Sequence, residues 1–208
     1  NIALDLQGAL KTRKAKHFNS IEEKEIPELL AKIENYHGEH QNKLGLKLAL
    51  LTFVRTTELR GAKWSEIDFE KKIWEIPAER MKMKIKHLVP LCKQSLEVFK
   101  GLQNINGNRE FVFPNRQNPD KYISENTLLY ALYRMGYHKK ATVHGFRSLA
   151  STILNESGLF KADVIERQLA HGERNKIRAA YNHAQYLDDR REMMDWWGDF
   201  IEKQGGVG

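Results

Sequence analysis

The sequence lacks most of the devices that staple or anchor a protein. Among its 208 residues there is one cysteine, Cys92 in VPLCKQSLEVF, so neither a disulfide framework nor a cysteine metal site can form. A reducing, cytoplasmic setting is the expectation. No apolar run approaches the roughly 20 residues of a membrane-spanning helix, and no signal-peptide pattern opens the chain. Internal repeats and low-complexity tracts are absent too. The eight histidines show no H-E-x-x-H or comparable ligand spacing and the acidic residues are scattered, so the reading calls for no metal and no cofactor. The first residue is Asn1 rather than Met, as expected of a fragment with further domains upstream.

What is present describes a soluble globular chain, 41% hydrophobic and 29% charged, long enough to bury a core. The formal charge of +7 favours a polyanionic partner without deciding it. Residues 1–19 begin with a short amphipathic turn and become basic, which reads as the end of a preceding domain plus a linker, leaving 20–208 as the main domain. Ser20 and Glu23 make a capping-box start for a helix that Pro27 should kink or split, with a stop near Gly38. LGLKLALLTFV, residues 44–54, reads as a buried core helix ending at Arg55, after which Thr56 or Thr57 can cap a short helix. KKIWEIP and KHLVPL read as a hairpin with a long cationic connection, and WSEIDFE supplies a third strand. From Leu91 onward the pattern is helical: CKQSLEVFKGL, a loop rich in Asn, Gly and Pro, then SENTLLYALYRMGY. The class expected is α+β, mainly helical, with a small antiparallel three-stranded sheet.

The last third carries the chemistry. On a helix after Thr142, Phe146, Leu149, Ala150, Ile153 and Leu154 share one side, and His144 with Arg147 falls on the other. Taken alone, H-x-x-R is a polar helix face. ADVIERQLAHG has an Asp163 start and a Gly172 stop, placing His171 at a helix C-terminus, where the dipole favours a protonated imidazole; alone, this is a C-capping histidine. Tyr181 in RAAYNHA shares a face with Ile177 and Ala184, and alone is a half-buried core tyrosine. A tyrosine hydroxyl, with a pKa near 10, becomes a competent nucleophile only where cations or a base stabilise the phenolate. Two arginines and two histidines supply that, and they also suit the charge that builds on phosphoryl oxygens.

With Arg55 in TFVRTTEL, HGFR at 144–147, LAHG around His171 and AAYNHA around Tyr181, the sequence resembles the tyrosine recombinases, in particular phage and genomic-island integrases, over nearly all of residues 21–203. The resemblance implies the tyrosine-recombinase catalytic fold. It maps the family's first arginine to Arg55 and the acidic residue that buttresses it to Glu58. The hairpin lysine maps to Lys82, seven residues before Val89, with Lys84 and Lys86 in the same connection. The H-x-x-R box maps to His144 and Arg147, the next histidine to His171 and the nucleophile to Tyr181. Phe53-Val54 and Thr56-Thr57 flank Arg55 where the family commonly has a glycine, and Tyr186 lies close to Tyr181. Lys84, Lys86, Lys139 and Lys140 are candidate contacts to the DNA backbone.

The implied reaction is attack of Tyr181 on a DNA phosphodiester, giving a 3′-phosphotyrosyl enzyme and a free 5′-hydroxyl. Arg55 and Arg147 would clamp the non-bridging oxygens, His171 would donate a further hydrogen bond, His144 would take the tyrosine proton, and Lys82 would protonate the leaving oxygen. Implied partners are double-stranded attachment sites, further copies in a tetramer on DNA, and DNA-bending or directionality proteins, with a nucleoid-associated location and no membrane. A type IB topoisomerase shares this chemistry, and a DNA-binding module that kept the fold without the reaction is the non-enzymatic alternative. Met193 or Met194, Trp197 and Ile201 form one stripe of a C-terminal helix, flanked by Trp196 and Phe200, which can close its own core or pack on a neighbour.

Overall fold

Residues 40–54 organise the molecule. In the computed structural model, which describes residues 19–171 and 186–206, helix α2 spans His40–Thr52 and buries Leu44, Leu46, Leu48, Ala49, Leu50 and Leu51. A helix apolar on nearly every side must be covered on every side. Its coat consists of α1 (Ile26–Glu34), α4 (Lys93–Asn106), α5 (Thr127–Leu132), α6 (Gly145–Glu156) and α8 (Leu187–Gln204). Two further short helices among the described residues are α3 (Thr56–Arg60) and α7 (Ala162–Gln168). The sheet has the order β1 (Ile67–Asp68), β2 (Ile73–Ile76), β3 (His87–Pro90), all antiparallel. Trp74 opposite Val89 and Ile76 opposite His87 share the core face, because alternate residues of a strand point the same way. Trp74 meets Phe99 of α4 edge to face, with ring centroids 5.9 Å apart.

The mainly helical α+β class and the three-stranded sheet are as expected. Several local expectations are overturned. Ser20 does not cap a helix: its hydroxyl donates to the Gly145 carbonyl at 2.8 Å, joining residue 20 to the start of α6. The split expected at Pro27 is present: the helical run divides into a 3-10 turn over Glu23–Glu25 and α1, which places Pro27 in the first turn of α1, where no backbone N–H is required, and α1 ends at Glu34, short of Gly38. The N-cap of α3 is Arg55 rather than Thr56 or Thr57, with the Glu58 carboxylate accepting the Arg55 backbone N–H at 2.8 Å. α7 starts after Lys161, so Asp163 sits inside its first turn. α4 runs to Asn106, one turn further than the apolar pattern indicates. Residues 1–18, which hold most of the expected linker, lie outside the described residues.

Helix α2 ends on Phe53 in the left-handed conformation, φ 39°. A non-glycine residue there costs on the order of 1–3 kcal/mol and persists only where its surroundings hold it. Phe53 is fully buried, its ring edge-on to Trp197 of α8 at 5.9 Å. α8 buries Arg190, Met193, Met194, Trp197, Gly198 and Ile201 on its own chain, and the Trp197 indole donates to the Leu50 carbonyl at 3.0 Å. The expected apolar stripe thus closes the core of the same chain.

Candidate active site

Arg55 and Arg147 reach the same short turn from two different elements. Arg55 follows the Phe53 reversal at the end of α2. Its guanidinium donates from Nη1 to Glu58 Oε1 at 2.8 Å and from Nη2 to the Ala170 carbonyl at 2.9 Å. Glu58 is 1% exposed, so this buried carboxylate and the arginine compensate each other's charge. Arg147, in the first turn of α6, donates from Nη1 to the Phe53 carbonyl and from Nη2 to the Leu169 carbonyl, both at 2.6 Å. Adjacent carbonyls of the turn after α7 therefore accept one bond from each arginine. Ala170 takes up the left-handed conformation, φ 49°, as the chain leaves the helix.

Arg147 does not lie on an exposed polar face, as amphipathicity alone indicates, but is 5% exposed. Burial, followed by the charge of Arg55, brings its guanidinium down to about 10, which still leaves it a cation at neutral pH. Each arginine spends two N–H groups on the bonds described, and a guanidinium has five, so donors remain for an anion.

The histidines flank this pair. His171 emerges after the turn, its Nδ1 2.8 Å from Glu166 Oε2 and its Nε2 3.5 Å from Arg147 Nη2, at the outer limit of a hydrogen bond. With Nδ1 carrying its hydrogen toward the carboxylate, Nε2 faces the arginines, and in the imidazolium both nitrogens are donors. His144 is the N-cap residue of α6 and half-buried. Burial, then the charges of Arg147, Arg55 and His171, holds its imidazole below the ordinary value, so the neutral, proton-accepting form is favoured.

The structure thus brings together Arg55, Glu58, His144, Arg147 and His171. It leaves Lys82 on the hairpin connection, exposed, immediately after the buried Met81. Lys84 Nζ donates to the Glu79 carbonyl at 3.0 Å and Lys86 pairs with Glu75 at 3.0 Å, whereas Lys82 has no such partner among the described residues. Lys139 and Lys140 are exposed in the loop before α6, and the Lys139 carbonyl accepts from Asn19. Tyr181 lies outside the described residues. Among the described residues no three His, Cys, Asp or Glu side chains are grouped to hold a metal ion.

Sequence reasoning missed the group beneath the site. Arg190, Gln168 and His87 are all buried and tie α8, α7 and β3 together. The one available signal was Arg190 itself, a charge on the stripe that continues through Met193, Met194, Trp197 and Ile201.

A helical core around α2, a three-stranded sheet and two arginines meeting at one turn define a protein of the phage integrase family. The family profile matches residues 19–187, and the chain belongs to that family. Its relatives include the integrase of Enterobacteria phage P4, 46% identical, the match covering 97% of this chain and 49% of that one. The chain spans about half the length of the curated relatives it matches. Among solved structures, the integrase from mycobacterium phage Brujita aligns with a TM-score of 0.63 at 14% identity, over 96% of this chain and 72% of that one. A lambda integrase tetramer bound to a Holliday junction aligns with a TM-score of 0.59 at 18% identity, over 84% and 56%. The fold is that of the tyrosine recombinase catalytic domain.

Proposed function

We propose that this chain cleaves and rejoins DNA strands as the catalytic part of a site-specific recombinase that integrates or excises a mobile element. The observation that carries the reading is the Leu169–Ala170 turn, whose adjacent carbonyls hold Arg147 and Arg55 beside His171. Two guanidinium groups fixed side by side make a preorganised fork for the two non-bridging oxygens of a phosphodiester.

In the step proposed, Tyr181 Oη bonds to phosphorus as the bond to the 5′-oxygen breaks. The phenol proton passes to neutral His144, and Lys82 gives a proton to the departing 5′-oxygen. His171 donates to a phosphate oxygen, and Glu58 keeps Arg55 aimed. The product is a 3′-phosphotyrosyl link whose bond energy allows a 5′-hydroxyl of another strand to reverse the step. The reaction proposed uses no cofactor. Double-stranded attachment sites are the proposed substrate, with Lys84, Lys86, Lys139 and Lys140 as contacts to the backbone. A tetramer of this chain on DNA is proposed by analogy with the lambda integrase tetramer. DNA-bending or directionality proteins and a nucleoid-associated place in the cytoplasm belong to the same proposal, as does a main domain from residue 20 onward.

A nicked duplex carrying the attachment site tests this reading. The unmodified protein should trap a covalent adduct visible as a shifted band on a denaturing gel, and Tyr181→Phe should bind the duplex with no adduct. Binding without an adduct in the unmodified protein would sink the catalytic reading, leaving the DNA-binding module as the explanation. An adduct that survives Tyr181→Phe would move the nucleophile to Tyr186.

A further inference from the structure

Beneath the arginine turn lies a second polar cluster that plays no part in the steps above. Arg190 of α8 is fully buried. Its Nε and Nη2 both donate to Gln168 Oε1, at 3.0 and 2.7 Å, and Nη2 also donates to the Leu88 carbonyl of β3. Gln168, 1% exposed, ends α7, and its carbonyl faces His87 Nε2 at 3.2 Å. One arginine thus joins three elements: the tail helix, the helix that leads to His171, and the strand that descends from the lysine connection.

Energetics make this arrangement informative. Withdrawing a guanidinium from water costs several kcal/mol, and a buried charge is often no more stabilising than an apolar side chain of the same volume. Met193, Met194 and Trp197 show that this stripe of α8 accommodates apolar residues. What the arginine adds is direction. It sets the spacing between Leu88, six residues after Lys82, and Gln168, immediately before Leu169 and Ala170. The other foot of the hairpin has its own anchor, since Glu66 Oε2 accepts from Trp74 Nε1 at 3.0 Å and from Arg80 Nη2 at 2.7 Å. Two contacts tie the hairpin to the arginine turn, His87 Nε2 against the Gln168 carbonyl and Arg190 bonded to both Leu88 and Gln168, and Arg190 is the charged one.

We propose that Arg190 is a positioning residue for the leaving-group acid: by pegging β3 to the end of α7 it fixes where Lys82 stands relative to the phosphate held by Arg55 and Arg147. This rests on the recombinase reading above. Without the peg, the phosphate clamp and the nucleophile still operate, but the proton reaches the departing 5′-oxygen late.

The test exploits leaving-group chemistry. A thiolate leaves without a proton, thiols having a pKa near 8.5 against about 15.7 for water, so a duplex with sulfur in place of the scissile 5′-bridging oxygen bypasses the acid. Single-turnover cleavage of the oxygen and sulfur duplexes is compared for full-length protein, Arg190→Met and Lys82→Ala, with DNA affinity measured in parallel. Displacing a catalytic group by an ångström costs on the order of 10²-fold in rate, so Arg190→Met should lose about that on the oxygen duplex and stay within about threefold on the sulfur duplex and in affinity. Lys82→Ala should show the same pattern. Equal losses on both duplexes would overturn the proposal, because the arginine would then act through the clamp or through stability. So would an unchanged rate on oxygen. If Arg190→Met does not fold, Arg190→Lys, which keeps the charge and gives up the fork, carries the same comparison. An unmodified protein that forms no adduct on either duplex indicts the recombinase reading rather than the role of Arg190.

Discussion

His87 shows how a single buried side chain contributes to the acid sensitivity of this fold. Burial, then the charge of Arg190, lowers its imidazole to about 3. In the unfolded chain the group titrates near 6.5, so between those values the unfolded state binds the extra proton and folding is penalised. Its contribution is whole above about pH 6.5 and is lost as pH falls toward 3, amounting to on the order of 3 kcal/mol at about pH 4. Denaturant titrations at neutral pH and near pH 4 should show a smaller acid loss for His87→Gln than for the parent; equal losses would assign the sensitivity to other groups. At this scale the sequence was legible in part. Arg55, His144, Arg147 and His171 could be singled out because their types and order are diagnostic together. The burial of Arg147 could not, since its partners Phe53 and Leu169 lie 94 and 22 residues away. His87 and Arg190 stayed hidden for the same reason: Arg190 meets Leu88 across 102 residues.

At the scale of elements, periodicity read the interior well and the boundaries poorly. The hydrophobic run of α2, the β-prone run of β2 and the stripe of α8 follow directly from which faces must be buried. Caps depend on geometry that a spacing rule does not contain, and Ser20 and Asp163 each fell into a different role. The packing of α8 on α4 depends on Gly198, which no pattern marked. A Cβ there would stand 2.3 Å from Gln94 Oε1 and 2.8 Å from Cys92 Sγ. Overpacking of this kind costs about 1–3 kcal/mol, so Gly198→Ala should lower the thermal midpoint by several degrees, and an unchanged midpoint would mean that Gln94 simply swings aside.

For the whole molecule the governing quantity is charge. A net +7 on 208 residues is suited to a phosphate backbone. Proteins that neutralise six to ten phosphates lose on the order of 10³–10⁵-fold in affinity between about 50 and 200 mM salt. Fluorescence anisotropy with attachment-site DNA should show a decline of that kind, with a straight line in log affinity against log salt; a flat line would mean that few lysines touch the backbone. The Trp197–Leu50 bond bears on the molecule as a machine. The tail helix touches the end of α2 next to the reversed Phe53, whose carbonyl holds Arg147, and a few residues earlier it grips α7 and β3 through Arg190. Tail helix and arginine turn are therefore one cooperative latch: α8 cannot move away from the body of the chain without letting go of both grips at once.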